Sequence, residues 1–134
     1  MIYDVEKNCC IAKAPFTALR LSHRLRGMIG RRFEPDKLDA MIFPNCNAVH
    51  SMWMSIPLDL LFLDAECKIV GLKSNFRPWG IPVRCAKAGT TIELPVGTID
   101  AYHIEIGDHI DLNANLLQNP FEKSSKADIV NAGT

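Results

Sequence analysis

The run Leu58-Asp59-Leu60-Leu61-Phe62-Leu63 constrains this chain more than any other stretch. Side chains alternate between the two faces of a strand, and here both faces are apolar apart from Asp59, so the run reads as a central strand rather than an edge. Whatever sheet contains it must be covered on both sides. The lone acid sharpens the constraint, since an ionised carboxylate inside a buried strand costs several kcal/mol unless something meets its charge.

Short apolar runs punctuated by Pro, Gly and Asn continue the pattern at 40–43, 48–54, 69–73, 90–94 and 109–112, with a further strand expected over 8–14. Asp64-Ala65-Glu66-Cys67-Lys68 is short enough to fold the runs at Leu58 and Ile69 into an antiparallel hairpin. One segment has helical spacing: Leu21, Leu25, Met28 and Ile29 follow the i, i+4, i+7, i+8 pattern, Thr17 can cap their start, and Gly30 supplies the stop. The expected architecture is α+β and mainly β, a largely antiparallel sheet under one covering helix near residues 17–29. Leu25, Met28, Phe43, Leu60, Phe62 and Leu94 are its predicted core. At 134 residues the chain fits one domain, expected over 1–113, with 114–134 loosely ordered because that segment has few periodic apolar residues.

Fifteen basic and fifteen acidic side chains cancel, so no global charge draws the chain to nucleic acid or to an anionic membrane. Five cysteines, odd in number and without a C-x-x-C pair, argue against a disulfide framework and a zinc ribbon, and fit reduced thiols in the cytoplasm. The first ten residues carry acids where an export signal needs bases, and no apolar stretch follows. The uncharged residues 40–58 contain Pro44, Asn45, Asn47, His50 and Pro57, which would strand polar groups in lipid. Neither export nor a membrane span is expected.

Four segments taken together resemble one known family. They are Arg24-Leu25-Arg26-Gly27-Met28-Ile29-Gly30-Arg31; Ala40-Met41-Ile42-Phe43; Cys46-Asn47-Ala48-Val49-His50-Ser51-Met52-Trp53-Met54 through Pro57-Leu58-Asp59-Leu60-Leu61-Phe62-Leu63-Asp64; and Leu94-Pro95-Val96-Gly97-Thr98 with Ile106-Gly107-Asp108. This order is similar to that of the family catalogued as domain of unknown function 192, with Ser51 where Thr is usual and Val96 where Ala is usual. The resemblance implies a compact, mostly β, barrel-like domain, often a stand-alone bacterial or archaeal protein. It implies no established activity.

Candidate site residues follow from chemistry. Asp59 needs a partner, and Arg24 or Arg31 can hold a carboxylate bidentately, with His50 or a local backbone amide as substitutes. This makes Asp59 a structural anchor more readily than a general acid or base. Cys46 and His50 suggest a thiol and its base, but Cys46 follows Pro44-Asn45 into a strand rather than opening a helix, so catalysis is not the favoured reading. Cys46, His50 and Met54, spaced by four, could share a soft metal on a helix; on a strand they lie about 13 Å apart in sequence, too far for one ion. Neither a metal nor another cofactor is therefore expected. Arg20, Arg24, Arg26, Arg31 and Arg32 crowd one region, yet aromatic residues suited to stacking on bases are few, so nucleic acid is not expected as a partner. Trp53, Trp79 and the Arg77-Pro78-Trp79-Gly80 turn could line a pocket with Glu93 and Asp59 as polar contacts. The favoured function is a non-catalytic binding or accessory domain for a small ligand or a protein partner. The alternatives are a small hydrolase or transferase using Asp59, His50 or Cys46, and a copper or zinc carrier.

Overall fold

A computed structural model of the chain describes residues 1–19, 28, 30–52 and 54–113. Leu58–Leu63 forms strand β6, and all six of its residues are buried. It lies in a five-stranded sheet of order β3-β4-β9-β6-β7, built with β3 (Pro15–Thr17), β4 (Ala40–Pro44), β7 (Ile69–Phe76) and β9 (Thr90–Pro95). The pairings β4–β9, β9–β6 and β6–β7 are antiparallel, and β3 runs parallel to β4.

Both faces of this sheet are covered, as the apolar pattern of β6 demands. On one face Ala40, Ile42, Leu61, Leu63, Ile92 and Leu94 pack against Ile2, Ile11 and Ala12. Those residues belong to β1 (Ile2–Asp4) and β2 (Cys9–Ala12), which form a three-stranded sheet with β10 (Ile110–Asp111). On the other face Met41, Phe43, Leu58, Leu60 and Phe62 meet Met28, Met54, Phe76 and Val49. Val49 lies on β5 (Ala48–Val49), which pairs with β8 (Val83–Arg84). Each fully buried Leu or Phe on β6 contributes about 1.5–3 kcal/mol, which makes this strand the largest single source of apolar stabilisation in the sheet.

The mainly β, α+β architecture is as expected, and Met28, Phe43, Leu60, Phe62 and Leu94 are buried as predicted. Leu25 and most of the helix expected over 17–29 lie outside the described residues. Thr17 does not open a helix: it ends β3, paired with Ile42, because the Ala18 amide continues the ladder to the Ile42 carbonyl at 2.9 Å. The sheets do not close into a barrel among the described residues. The strand expected over 48–54 is confined to Ala48–Val49. One short helix, α1 (Thr98–Ala101), follows β9, after Gly97 turns the chain at φ 91°.

Asp59 holds the middle of this arrangement. Opposite it β7 carries one extra residue, since Leu58 pairs with Phe76 but Leu60 with Lys73. At this bulge Asn75 takes a left-handed φ of 51°, and its amide donates to Asp59 Oδ1 at 2.9 Å. Asp59 Oδ2 accepts from the amides of Gly97 at 3.1 Å and Ile99 at 2.9 Å, at the start of α1. Three main-chain donors thus stand where sequence suggested a guanidinium. Arg31 lies over the Phe16 ring instead, 5.9 Å from its centroid, and Arg24 is outside the described residues. Asp59→Ala leaves one buried amide unpaired, at about 1–3 kcal/mol, and two partly buried ones that water reaches, at about 1 kcal/mol each, so urea unfolding is expected to register a loss of about 3–5 kcal/mol. A loss under about 1 kcal/mol would sink the anchor role.

Candidate functional site

Two acids buried in the five-stranded sheet, Asp59 and Glu93, and one exposed tryptophan, Trp79, frame the chemistry of the described residues. In the β6–β9 register Asp59 stands opposite Leu94, and Leu60 opposite Glu93. Directly opposed residues share a face, so Asp59 points to the first core and Glu93 to the second. Asp59 and Glu93 therefore lie on opposite faces of the sheet. Glu93 is 4% exposed, and its Oε2 has no hydrogen-bond partner among the described residues. Burial pushes its carboxyl up to about 8, so it is a neutral acid at pH 7.

The three soft-ligand candidates go separate ways. The Cys46 thiol donates to the Ala48 carbonyl at 3.2 Å, His50 is exposed just after β5, and Met54 is buried in the second core. A solvent-facing imidazole and a core thioether do not converge on one ion. Among the described residues a different group comes close enough to hold a cation: oxygens of Asp4, Glu6 and Asp108 lie within 4.8 Å of one another. That group already has internal partners. Lys7 Nζ is 3.6 Å from Asp108, and Glu6 accepts from the His109 amide and pairs with its ring at 2.6 Å, which draws the Glu6 carboxyl down to about 2. Asp4, whose Oδ2 has no hydrogen-bond partner among the described residues, is raised to about 6, chiefly by burial and then by the neighbouring Asp108 carboxyl. These contacts close β1 onto the loop before β10.

Trp79 has the most unusual setting. Arg77-Pro78-Trp79-Gly80 forms a turn in which the Gly80 amide donates to the Arg77 carbonyl at 3.1 Å and Trp79 holds a φ of 59°. Proline at the second position and a positive φ at the third mark a type II turn, which ordinarily places glycine where Trp79 stands. A left-handed backbone costs a bulky residue about 1–2 kcal/mol. Ser51, wholly buried, holds the turn in that form: its carbonyl accepts from the Trp79 amide at 2.9 Å and its hydroxyl from the Gly80 amide at 2.7 Å. A Cβ on Gly80 would come 2.9 Å from the Arg77 carbonyl, so the turn also requires that glycine. The outcome is an indole 61% exposed, next in sequence to Ile81 at 88%, with Met52 at 48% on the clamping segment.

Sequence reasoning noted the turn and Trp79 but missed Ser51, Met52 and Ile81. The Arg-Pro-Trp-Gly signature was the available signal for the turn; nothing local announces a clamp 29 positions away. Trp53 lies outside the described residues. Three surface depressions of about 450–480 Å³ are each bordered by residues of the 30–39 segment, and none is lined by Trp79, Asp59 or Glu93.

The described residues thus make a mainly β, α+β domain in which the Cys46 thiol bonds to a main-chain carbonyl and His50 is exposed. The chain belongs to the domain of unknown function 192 family, described as an uncharacterised ACR, whose model matches residues 16–112. A UPF0127 protein of Thermococcus sibiricus is 36% identical over 89 residues, 63% of this chain and 57% of its own length. A second, from Pyrococcus abyssi, is 35% identical over 63 residues, 47% of this chain and 53% of its own length. The chain thus spans little more than half the length of these relatives. A protein of unknown function from Novosphingobium aromaticivorans superposes with a TM-score of 0.64 at 21% identity, covering 72% of this chain and 73% of that one, a likeness of fold alone.

Glu93 makes stability depend on pH with a definite sign. Its carboxyl is protonated in the folded chain up to about pH 8, whereas an unfolded glutamate ionises near pH 4.3, so folding takes up a proton between those values and stability falls as pH rises. Asp4 adds a fall of the same sign only up to about 6. Between about pH 6.5 and 8, urea unfolding is expected to show a loss on the order of 2 kcal/mol from Glu93. Glu93→Gln should remove that slope; an unchanged slope would contradict the buried neutral acid.

Proposed function

We propose that this chain is a non-catalytic binding domain for a protein partner, with a docking surface centred on Trp79 and flanked by Ile81 and Met52. The observation that carries this reading is the strained turn: a left-handed position suited to glycine holds a tryptophan, and a buried serine clamps it with its indole outward. Exposed tryptophans on rigid supports are the side chains that anchor protein interfaces most strongly. Catalysis has less support, since both oxygens of Asp59 are occupied by amides, the Cys46 thiol is bonded to a carbonyl, and His50 stands apart in solvent. A small-molecule site has less support as well, because the depressions found among the described residues lie away from Trp79, Asp59 and Glu93. The binding unit in this reading is residues 1–113, acting in a reducing cytoplasm that suits five free thiols. Among the described residues no helix is long and apolar enough to cross a membrane.

The test uses the full chain with a photo-crosslinking amino acid at position 81, irradiated in the cells that make it. One discrete adduct is expected, and it should vanish in Trp79→Gly. Glycine adopts the left-handed turn without strain, so that variant should stay folded, which a single cooperative unfolding transition checks. An adduct indifferent to Trp79→Gly, or no discrete adduct, would overturn the proposal.

A further inference from the structure

The chain is neutral as a whole, but its charge is not evenly spread. From Cys67 to Ile92 there are five cations, Lys68, Lys73, Arg77, Arg84 and Lys87, and no carboxylate at all; the rest of the chain carries the balancing acidic excess. All five cations are exposed, and none forms an ion pair among the described residues. Trp79 and Ile81, two of the three residues of the apolar surface described above, lie within this basic stretch. Arg77 opens the strained turn, and Arg84 lies on β8 three residues beyond Ile81.

We propose that the partner docks through an acidic, apolar peptide segment: its apolar side chains pack on Trp79, Ile81 and Met52, and its carboxylates face Arg77 and Arg84. This rests on the docking surface proposed above and adds the chemistry of its occupant. Charge complementarity carries the choice, because opposite charges around an apolar centre speed encounter and select partners, while like charges repel. A second copy of this chain is disfavoured on the same ground, since a two-fold contact would bring each basic rim against its twin. Nucleic acid uses cations and a stacking ring but gains nothing from exposed Ile81 and Met52.

The experiment measures fluorescence anisotropy of a labelled octapeptide, Glu-Leu-Glu-Phe-Glu-Leu-Glu-Phe, with matched peptides in which every Glu is replaced by Lys or by Ser. The acidic peptide is expected to bind the full chain at least about tenfold more tightly than either control, with an advantage that shrinks as salt rises. The double variant Arg77→Glu with Arg84→Glu, checked for an unchanged melting temperature, should reverse the preference toward the lysine peptide. Trp79→Gly should weaken all three. Equal binding of the acidic and serine peptides would overturn the acidic assignment while leaving the apolar docking surface intact. Failure of all three peptides would also overturn it, and the crosslink at position 81 then judges the docking surface independently. Tighter, arginine-dependent binding of oligothymidine or of phosphatidylglycerol vesicles than of the acidic peptide would assign the basic rim to a different macromolecule and overturn this inference.

Discussion

The carboxylate of Asp59, taken up by three backbone amides, is the interaction on which the rest of the structure depends. It satisfies a strand bulge at Asn75 and the first turn of α1 at Gly97 and Ile99 simultaneously. Neither of those irregular segments can direct its amides to an ordinary ladder partner at these positions, and buried main-chain donors rarely go unpaired. One acid in the central strand therefore fixes where β7 bends, where β9 ends and how the chain turns into the segment that carries Ile99 and Ile104 into the first core. An amide-lined carboxylate also carries less desolvation cost than a lone ion, since each donor replaces a water.

Glu93, one strand over and facing the other way, meets the same low-polarity interior by another route. It has a proton where Asp59 has amides. The two acids together show how a doubly covered sheet treats polar groups: one is integrated into the backbone hydrogen bonding, the other is neutralised in place. The exposed turn at Trp79 is the converse case, an apolar group held in water against local backbone preference by Ser51 beneath it.

Strands whose burial is written in consecutive residues were legible in the sequence. β4, β6 and β9 fall close to their expected limits, because consecutive buried side chains leave few alternatives, whereas β7, at the sheet edge, runs three residues past its expected end through exposed Lys73, Ser74 and Asn75. The hairpin at Asp64 was legible for the same local reason. What sequence reasoning missed depends on partners far along the chain. β3 is three residues long and exists because β4 lies beside it, which made Thr17 look like a helix cap; β1 is as short and β8 shorter still. The need of Asp59 for donors was readable from its neighbours, whereas the identity of those donors was not, since they come from residues 16, 38 and 40 positions away. The basic stretch from Lys68 to Lys87 was present in the sequence but hidden by the neutral total.

The strand order has a consequence for how the protein is made. β6 and β7 are joined by a short turn and can pair as soon as both exist, but β4 must wait for β9, whose partner residues lie roughly fifty positions downstream. Until then β4 has only the three-residue β3 beside it, and Met41 and Phe43 on one side, and Ala40 and Ile42 on the other, lack the strand that joins them to β6. A growing chain therefore carries an apolar strand with one open edge while roughly fifty further residues are made. Strands left open in this way invite pairing with other nascent chains and are typical chaperone clients. Once β9 enters between β4 and β6, that exposure ends in a single step, and the last strand to arrive becomes the middle of the sheet.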